Sequence, residues 1–320
     1  MKTNLTTTNF KSGFRIAGQL FSRAACLGAV ILICSSAFAQ NLFVSGSEPQ
    51  KNCRGGCGAI FQFTWDGAQS IYASGLFDPW DVAFDSTGNL FVVDYDRGEL
   101  FGEAAVYKIT PNGARTTFAS GLSYPCYLAV DRAGHLFVAD YDHGVIYEYK
   151  PTGSRATFAT GLHHPVGLAF DTLGKLFVAD NSAGIYLGHI YEYKPDGSRV
   201  TFAVLDPSDR PADLAFDSMG NLLMADLSGK IYRYASNGVL RRHPGRTIFG
   251  SVPNSAESLA FDSAGNLFVV DGGGVNSSGT VGPNAIYKFT QQGVRSTFAS
   301  AEAVGETFAC LAFQPAVCCQ

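Results

Sequence analysis

The chain has 320 residues and a formal net charge of −4. No basic excess is present, which argues against nucleic acid and anionic membranes as partners, because both attract positively charged proteins.

The first predicted element is a secretory signal peptide over residues 1–39. An apolar run over residues 24–34 is followed by Ala37 and Ala39, at −3 and −1 of a cut before Gln40. The segment before this cut carries four basic and no acidic residues: Lys2, Lys11, Arg15 and Arg23. This is the order of regions in a signal peptide. The alternative is an uncleaved membrane anchor, for which a run of about 11 residues is short against a span of ~20.

Removal of the leader takes away four positive charges and leaves a more acidic chain. No second long apolar run follows, so no membrane span is expected after cleavage. Residues 40–320 are enough for one large all-β domain. We therefore expect a secreted, extracellular or periplasmic, monomeric protein.

Cysteines allow disulfides in such an oxidising compartment. Six lie after residue 39: Cys53, Cys57, Cys126, Cys310, Cys318 and Cys319. Six cysteines permit 15 pairings, which the sequence does not decide. Cys53 and Cys57 flank a flexible Arg-Gly-Gly loop and are predicted to form a local disulfide. A metal pair is the weaker alternative, because no second pair stands at ligand spacing. Cys126 is predicted to be a buried free thiol.

A repeat dominates the rest of the chain. One aspartate recurs in a turn, at Asp85, Asp131, Asp171, Asp217 and Asp262. A second ends the following strand, at Asp94, Asp140, Asp180, Asp226 and Asp271. Both sets recur at intervals of 40 to 46 residues. A fixed period in this range indicates a repeat architecture.

Each repeat reads as four strands. The first resembles "LAFD" and the second "LFVAD", joined by an Asp-x-x-Gly turn in which Gly takes a positive φ. The third, such as "IYEY", alternates with period two, and the fourth resembles "ATFAT". In the fifth blade an insertion containing Pro244 weakens the pattern of the fourth strand. Four short antiparallel strands about every 45 residues describe a β-propeller blade.

The number of blades follows from the two ends of the chain. Five complete repeats precede a final "CLAFQP", which is a first strand without successors. The segment from Asn41 has strands two to four but no first strand. The predicted fold is therefore an all-β, six-bladed β-propeller with four antiparallel strands per blade. Its ring is closed by the C-terminal strand, which joins the N-terminal blade and covers its sheet edge.

Loops of variable length lie on one face, between strands two and three and at the blade crossings, where binding usually resides. Polar residues of the crossings are candidate ligand-binding residues at the channel mouth: Asp78, Tyr124, His163, His164, Asp209, Arg210 and Glu306. The alternative is that they are simply solvated polar groups. Trp80, on an inner strand, suits stacking on a sugar or another flat ligand, or a packing role.

The stretch "PVGLAFDTLGKLFVADNSAGIYLGHIYEYKPDGSR", from Pro165, resembles an NHL-type propeller repeat. The related superfamily of six-bladed propellers includes gluconolactonase/regucalcin-like proteins and streptogramin lyases. The resemblance covers nearly all of the chain after the leader. It implies the fold, and it implies lactonase or lyase activity as the alternative to a binding role.

The lactonase relatives hold a divalent metal at the channel, partly through the residue after the proline that opens the inner strand. Those positions are Trp80, Cys126, Val166, Ala212, Glu257 and Ala309. One carboxylate among six does not make an oxygen-rich cage. The sequence also lacks the His/Glu constellation of the lyases. We therefore expect no metal and no cofactor. Calcium at "DYDRG" from Asp94 or "DYDHG" from Asp140 is an alternative, and the strand-end aspartates are expected to bond loop backbone instead.

These residues favour a binding or interaction module with its site at the channel mouth, including Glu257 among the ligand-binding candidates. Its partner is a small molecule, a carbohydrate or a protein. The alternative is an enzyme of the lactonase or streptogramin-lyase kind.

Overall fold

The computed structural model describes residues 40–47, 58–95, 104–181, 187–235, 245–273, 284–301 and 307–315. The predicted leader and both cysteines of the predicted disulfide lie outside these ranges. The described residues form 24 strands in six antiparallel sheets of four. Each sheet is one blade, and strands are numbered in chain order.

The first three blades are as follows. Blade 1 has β1 (Leu42–Ser47), β2 (Gly58–Phe63), β3 (Gln69–Leu76) and, innermost, β24 (Thr307–Phe313). Blade 2 has β4 (Pro79–Phe84), β5 (Leu90–Asp94), β6 (Ala104–Ile109) and β7 (Arg115–Leu122). Blade 3 has β8 (Pro125–Val130), β9 (Leu136–Asp140), β10 (Val145–Tyr149) and β11 (Arg155–Ala159).

The remaining blades complete the ring. Blade 4 has β12 (Pro165–Phe170), β13 (Leu176–Asp180), β14 (His189–Tyr193) and β15 (Arg199–Val204). Blade 5 has β16 (Pro211–Phe216), β17 (Leu222–Asp226), β18 (Lys230–Tyr234) and β19 (Arg246–Ser251). Blade 6 has β20 (Ala256–Phe261), β21 (Leu267–Asp271), β22 (Ala285–Phe289) and β23 (Arg295–Ser300). The fourth strand of blade 5 thus forms, and it begins after Pro244.

The C-terminal strand closes the ring, as predicted. Strand β24 pairs antiparallel with β1, with Leu42 opposite Phe313 and Val44 opposite Leu311. Leu311 is buried. β24 also contacts the inner strands of both neighbouring blades, β20 and β4. The two ends of the chain therefore form one sheet.

Repeated phenylalanines hold neighbouring blades together. Phe177 of β13 makes edge-to-face contacts with Phe202 in its own blade, at 5.2 Å between ring centroids, and with Phe216 in the next blade, at 4.9 Å. Phe268 repeats this arrangement, and its partner in the next blade is Phe313 of the closing strand. Such contacts add to the burial of the rings. The phenylalanines of the "LAFD" and "LFVAD" motifs therefore recur because they pack neighbouring blades against one another.

The Asp-x-x-Gly turns have the predicted chemistry. Asp85 Oδ1 accepts hydrogen bonds from the backbone N–H groups of Thr87 and Asn89, both at 2.9 Å, and Gly88 has φ of 84°. The glycines of the four other turns also have positive φ. Each turn is thus fixed by its own sequence.

The outer strands carry a repeated cation–π contact. An arginine of strand four lies over a tyrosine of strand three in five blades: Arg115 on Tyr107, Arg155 on Tyr147, Arg199 on Tyr191, Arg246 on Tyr232 and Arg295 on Tyr287. Each contact adds an electrostatic attraction between the two outer strands of a blade. Among the described residues, no helix has the length and apolar character needed to cross a membrane.

Candidate functional site

The mouth of the central channel contains a cavity of about 520 Å³. Every inner strand contributes at least one residue to its lining, and the lining residue that all six strands share stands at the second position of the strand in β4, β8, β12, β16 and β20 and at the third in β24. We call these six residues the upper ring: Trp80, Cys126, Val166, Ala212, Glu257 and Ala309. They are the positions that the sequence placed at the mouth of the channel.

The next residue of each inner strand forms a second ring, which we call the lower ring: Asp81, Tyr127, Gly167, Asp213, Ser258 and Cys310. The pairing of the inner strand with its neighbour shifts register at this level, for example between Pro79 and Val82 and between Pro211 and Leu214. Such irregularities re-aim side chains. Tyr127 and Cys310 accordingly line the cavity together with the upper ring.

One side of the cavity is aromatic. Trp80 contacts Tyr124 at 6.5 Å between ring centroids, and Tyr124 contacts Tyr141 at 5.6 Å. All three line the cavity. Tyr141 also lies 4.4 Å from the ring of His164. We call Trp80, Tyr124 and Tyr141 the aromatic wall, which belongs to blades 2 and 3.

The strand-end aspartates hold the crossings that shape this mouth. Asp180 is 1% exposed and accepts hydrogen bonds from the backbone N–H groups of His163 and His164, both at 2.9 Å. The N–H of Asn181 donates in turn to the carbonyl of His164, at 2.9 Å. Equivalent bonds from strand-end aspartates to crossing backbone recur in the other complete blades: at Asp94, Asp140, Asp226 and Asp271. This is the structural role expected from the sequence.

Glu257 is the carboxylate of the upper ring. Ser255 Oγ donates a hydrogen bond of 2.9 Å to its Oε1. Burial raises the pKa of Glu257, an effect that the Ser255 hydrogen bond partly offsets and the nearby Asp271 charge adds to. The carboxyl group lies against Gly272, where any β-carbon would come within 2.0 Å of the carboxyl carbon. Gly272 therefore makes the space that this carboxyl group occupies.

Two aspartates of the lower ring lie beneath the cavity, in blades 2 and 5, which are opposite one another in a ring of six. Asp81 accepts hydrogen bonds from the N–H groups of Val82, at 2.8 Å, and Leu128, at 2.7 Å. Asp213 accepts them from Leu214, at 2.7 Å, and Leu259, at 2.8 Å. Each aspartate thereby ties its own inner strand to that of the next blade.

Burial strongly raises the pKa values of both carboxyl groups. It raises the pKa of Asp213 to about 6. Burial, with the charge of Asp213 added, raises the pKa of Asp81 to about 8. The backbone hydrogen bonds favour the charged forms but do not outweigh this loss of hydration. Asp81 therefore keeps its proton to higher pH than Asp213.

This pair predicts a pH dependence of stability. The folded protein keeps these protons to higher pH than the unfolded chain, whose aspartates titrate near 3.8. The contribution of Asp81 to the free energy of unfolding is therefore fully present below about pH 4 and falls until about pH 8. Asp81→Asn should flatten this fall, on the order of a few kcal/mol. Urea unfolding of both proteins at several pH values measures it, and parallel pH profiles would contradict the assignment.

Both described cysteines are free and buried, as predicted for Cys126. Burial raises the pKa of the Cys126 thiol and that of the Cys310 thiol, and at Cys310 the charges of Asp81, Asp213 and Glu257 act in the same direction. The thiol, not the reactive thiolate, is then the form present near neutral pH. Neither cysteine is a candidate nucleophile.

The cavity brings together only some of the predicted binding residues. Asp78, Trp80, Tyr124 and Glu257 line it. His163 is exposed, and Arg210 donates from its guanidinium to the carbonyl of Leu227 at 3.2 Å.

The other predicted residues lie elsewhere or outside the description. Asp209 forms an ion pair with Arg246 and accepts the N–H of Asp206 at 2.8 Å. His164 packs on Tyr141, and its buried Nδ1 has no hydrogen-bond partner among the described residues. Glu306 lies outside the described ranges. Ligand binding at these positions stays a prediction.

The upper ring does not fit the divalent metal that the lactonase resemblance implies, because Glu257 is its one carboxylate and hard cations need several oxygens. Across the described residues, no three His, Cys, Asp or Glu side chains are grouped to hold a metal. In the "DYDHG" segment, where calcium was the alternative, the Asp140 carboxylate already has hydrogen bonds with the backbone N–H of Ser123 and the ring of His143.

No protein-family model and no curated protein matches the chain. Solved structures do. A gluconolactonase from Xanthomonas campestris has 21% identity and a TM-score of 0.56, over 72% of this chain and 77% of its own. Virginiamycin B lyase from Staphylococcus aureus has 13% identity and a TM-score of 0.53, over 75% and 76%. A PQQ-bound aldose sugar dehydrogenase from Streptomyces coelicolor has 14% identity and a TM-score of 0.57, over 72% and 87%. At these identities the likeness concerns the fold: the chain is a six-bladed β-propeller whose structural neighbours include gluconolactonases and streptogramin lyases.

Proposed function

We propose that the protein is an exported binding module that holds a small molecule in the cavity at the channel mouth. The observation that carries this proposal is the convergence of all six inner strands on one cavity of about 520 Å³. Ligand pockets of proteins have volumes of roughly 300–1,000 Å³ and are mainly apolar, with a few polar groups that fix orientation. The aromatic wall and the carboxyl groups of Asp78 and Glu257 match this description.

The aromatic wall supports a ligand with a flat or apolar body. Trp80, Tyr124 and Tyr141 all keep surface toward the cavity. Aromatic side chains offer a large contact area with few rotatable bonds, so little entropy is lost when they hold a ligand. A carbohydrate or a protein segment is the alternative occupant. Export rests on the leader pattern, and we propose that the module acts as a monomer outside the cytoplasm.

The protein contains two tryptophans, which gives a direct test of binding. Trp65 is 74% exposed, whereas Trp80 lies in the upper ring. We expect the emission of a Trp65→Phe variant to change with members of a small-molecule fragment set and to saturate. The Trp80→Phe variant, which retains Trp65, is the control and should not respond. Equal responses in both variants, or none in Trp65→Phe, would count against the channel mouth as the site.

An enzyme is the second candidate function, because Glu257 combines a cavity position with a raised pKa, as acid–base residues often do. The lactonase and lyase neighbours add to this candidate. The upper ring, however, supplies one carboxylate, so we predict no metal-dependent lactonase turnover.

The assay incubates chelator-stripped protein with calcium, zinc or manganese and simple sugar lactones. We expect hydrolysis at the uncatalysed rate. Turnover that is lost both with chelator and in Glu257→Gln would establish the enzyme and reject the binding module.

A further inference from the structure

Glu257 occupies a space that the other four complete repeats do not provide. Gly272 follows the strand-end aspartate Asp271, and the corresponding residues elsewhere are Tyr95, Tyr141, Asn181 and Leu227. With the carboxyl group in its present position, a β-carbon at residue 272 would come within 1.8 Å of Glu257 Oε1, so any larger residue there would displace the carboxyl group. Gly272 does not have a positive φ, so its backbone conformation does not require glycine. The Glu257 carboxyl group is what needs the space.

The described lining of the cavity contains acidic but no basic side chains. It includes Asp78 and Glu257 but no Lys, Arg or His. Of the described side chains, only that of Ser255 donates a hydrogen bond to the Glu257 carboxyl group. A carboxylate removed from water in this way is stabilised by a positive charge that arrives with the ligand.

Glu257 and most of the aromatic wall line the cavity from opposite blades. Glu257 belongs to blade 6 and Tyr124 and Tyr141 belong to blade 3, which is opposite in a ring of six. A ligand in the cavity therefore meets Glu257 at one end and aromatic rings at the other. Aromatic rings attract cations as well as apolar groups.

We infer that the ligand of this site is a small organic amine, positively charged at neutral pH, with an aromatic or other apolar body. This inference rests on the proposed function and names its ligand class. The ammonium group pairs with the Glu257 carboxylate, and the apolar body packs on Trp80, Tyr124 and Tyr141. Gly272 is a positioning residue that allows the carboxylate to lie where it does.

Other ligand classes fit less well. An anion, such as a sugar acid, would be repelled by Asp78 and Glu257, with no basic side chain in the described lining to receive it. A neutral sugar would stack on the wall but leave the half-buried Glu257 carboxylate without a counter-charge. The charge of the site, rather than its volume, therefore selects the amine.

Three probes of similar size separate these classes: 2-phenylethylammonium, neutral 2-phenylethanol and anionic phenylacetate. Their Kd values are measured from Trp80 emission in the full-chain Trp65→Phe protein at neutral pH. We expect the ammonium to bind more tightly than the alcohol by roughly 10- to 100-fold, as charge-assisted hydrogen bonds do. The anion should bind most weakly.

Two variants locate the effect. Glu257→Gln keeps the shape and removes the charge, and Gly272→Ala keeps the charge and displaces it. Each should weaken ammonium binding by roughly 10-fold or more and change alcohol binding by less than about threefold. Glu192→Gln is the charge-matched control, because Glu192 pairs with Lys175 away from the cavity. It should leave all three Kd values unchanged.

Equal binding of the ammonium and the alcohol would overturn the inference while the proposed function stands, since the cavity would still hold a ligand. The same conclusion follows if Glu257→Gln binds the ammonium as well as the unaltered protein does. If none of the three probes changes the Trp80 emission, the inference is overturned as well. The proposed function is tested separately, by the response of the Trp65→Phe variant to the fragment set and by the Trp80→Phe control.

Discussion

Deletion of residues 308–320 is expected to prevent stable folding. The deletion removes most of β24, which pairs with β1 and packs between β20 and β4. Phe308 and Leu311 are buried in the cluster shared by blades 6 and 1. Burying side chains of this kind contributes roughly 1.5–3 kcal/mol each, against a total stability of about 5–15 kcal/mol for a typical protein. The unpaired edge of β1 adds to the loss.

A rearranged chain provides the matched control. Gln314 N–H donates to the carbonyl of Asn41 at 3.2 Å, so the end of β24 lies beside the start of β1. Residues 307–314 can therefore be moved to the front of Asn41 and joined to it by an Asn-Gly turn, which suits a two-residue hairpin.

This rearranged protein should melt cooperatively near the temperature of the original, while the deleted protein should not. Both proteins are compared by circular dichroism and thermal unfolding. A deleted protein that melts within a few degrees of the original would show that the strand does not hold the ring together.

Asp180→Ala is expected to lower the stability by about 2–4 kcal/mol. The buried carboxylate of Asp180 accepts the N–H groups of His163 and His164, and its removal takes away the acceptor of these partly buried donors. The melting temperature should fall by roughly 5 to 15 °C.

Asp196 offers the comparison, because its carboxylate also accepts a backbone N–H, from Ser198 at 2.9 Å, but on the exposed surface. Water replaces the lost acceptor there, so Asp196→Ala should melt with the unaltered protein. If both variants melt alike, the strand-end aspartates do not organise the crossings.

The fold was predictable because the same four-strand pattern recurs in five complete repeats. The Asp-x-x-Gly turns fix the hairpins by local chemistry, and the "LAFD" and "LFVAD" motifs carry the phenylalanines that join blades. The last strand of the chain is the first strand of a blade and has no successors, and the segment from Asn41 has the other three strands of a blade but not the first. Recurrence at a fixed period therefore determined architecture, blade number and closure together.

The lower ring was not predicted. In a regular strand successive side chains point to opposite faces, so only one of two neighbouring residues is expected to face the channel. The register shifts of the inner strands bring both levels to it. A signal existed: Asp81 and Asp213 occupy the same repeat position, in otherwise apolar strands, three repeats apart.

Two further features of the mouth depend on tertiary contacts. Asp209 reads as a mouth residue, but Arg246 of the fourth strand pairs with it. The role of Gly272 emerges only once Glu257 is seen to lie against it.

The claim that the channel mouth is the functional site is tested most directly by a crystal structure of the protein soaked with 2-phenylethylammonium. We predict density in the cavity of the upper ring, with the amine at Glu257 and the phenyl group against the aromatic wall. The opposite face has its own cavity, of about 810 Å³, lined by the Asp-x-x-Gly turns of Asp131, Asp171, Asp217 and Asp262. Density confined to that face would contradict the account.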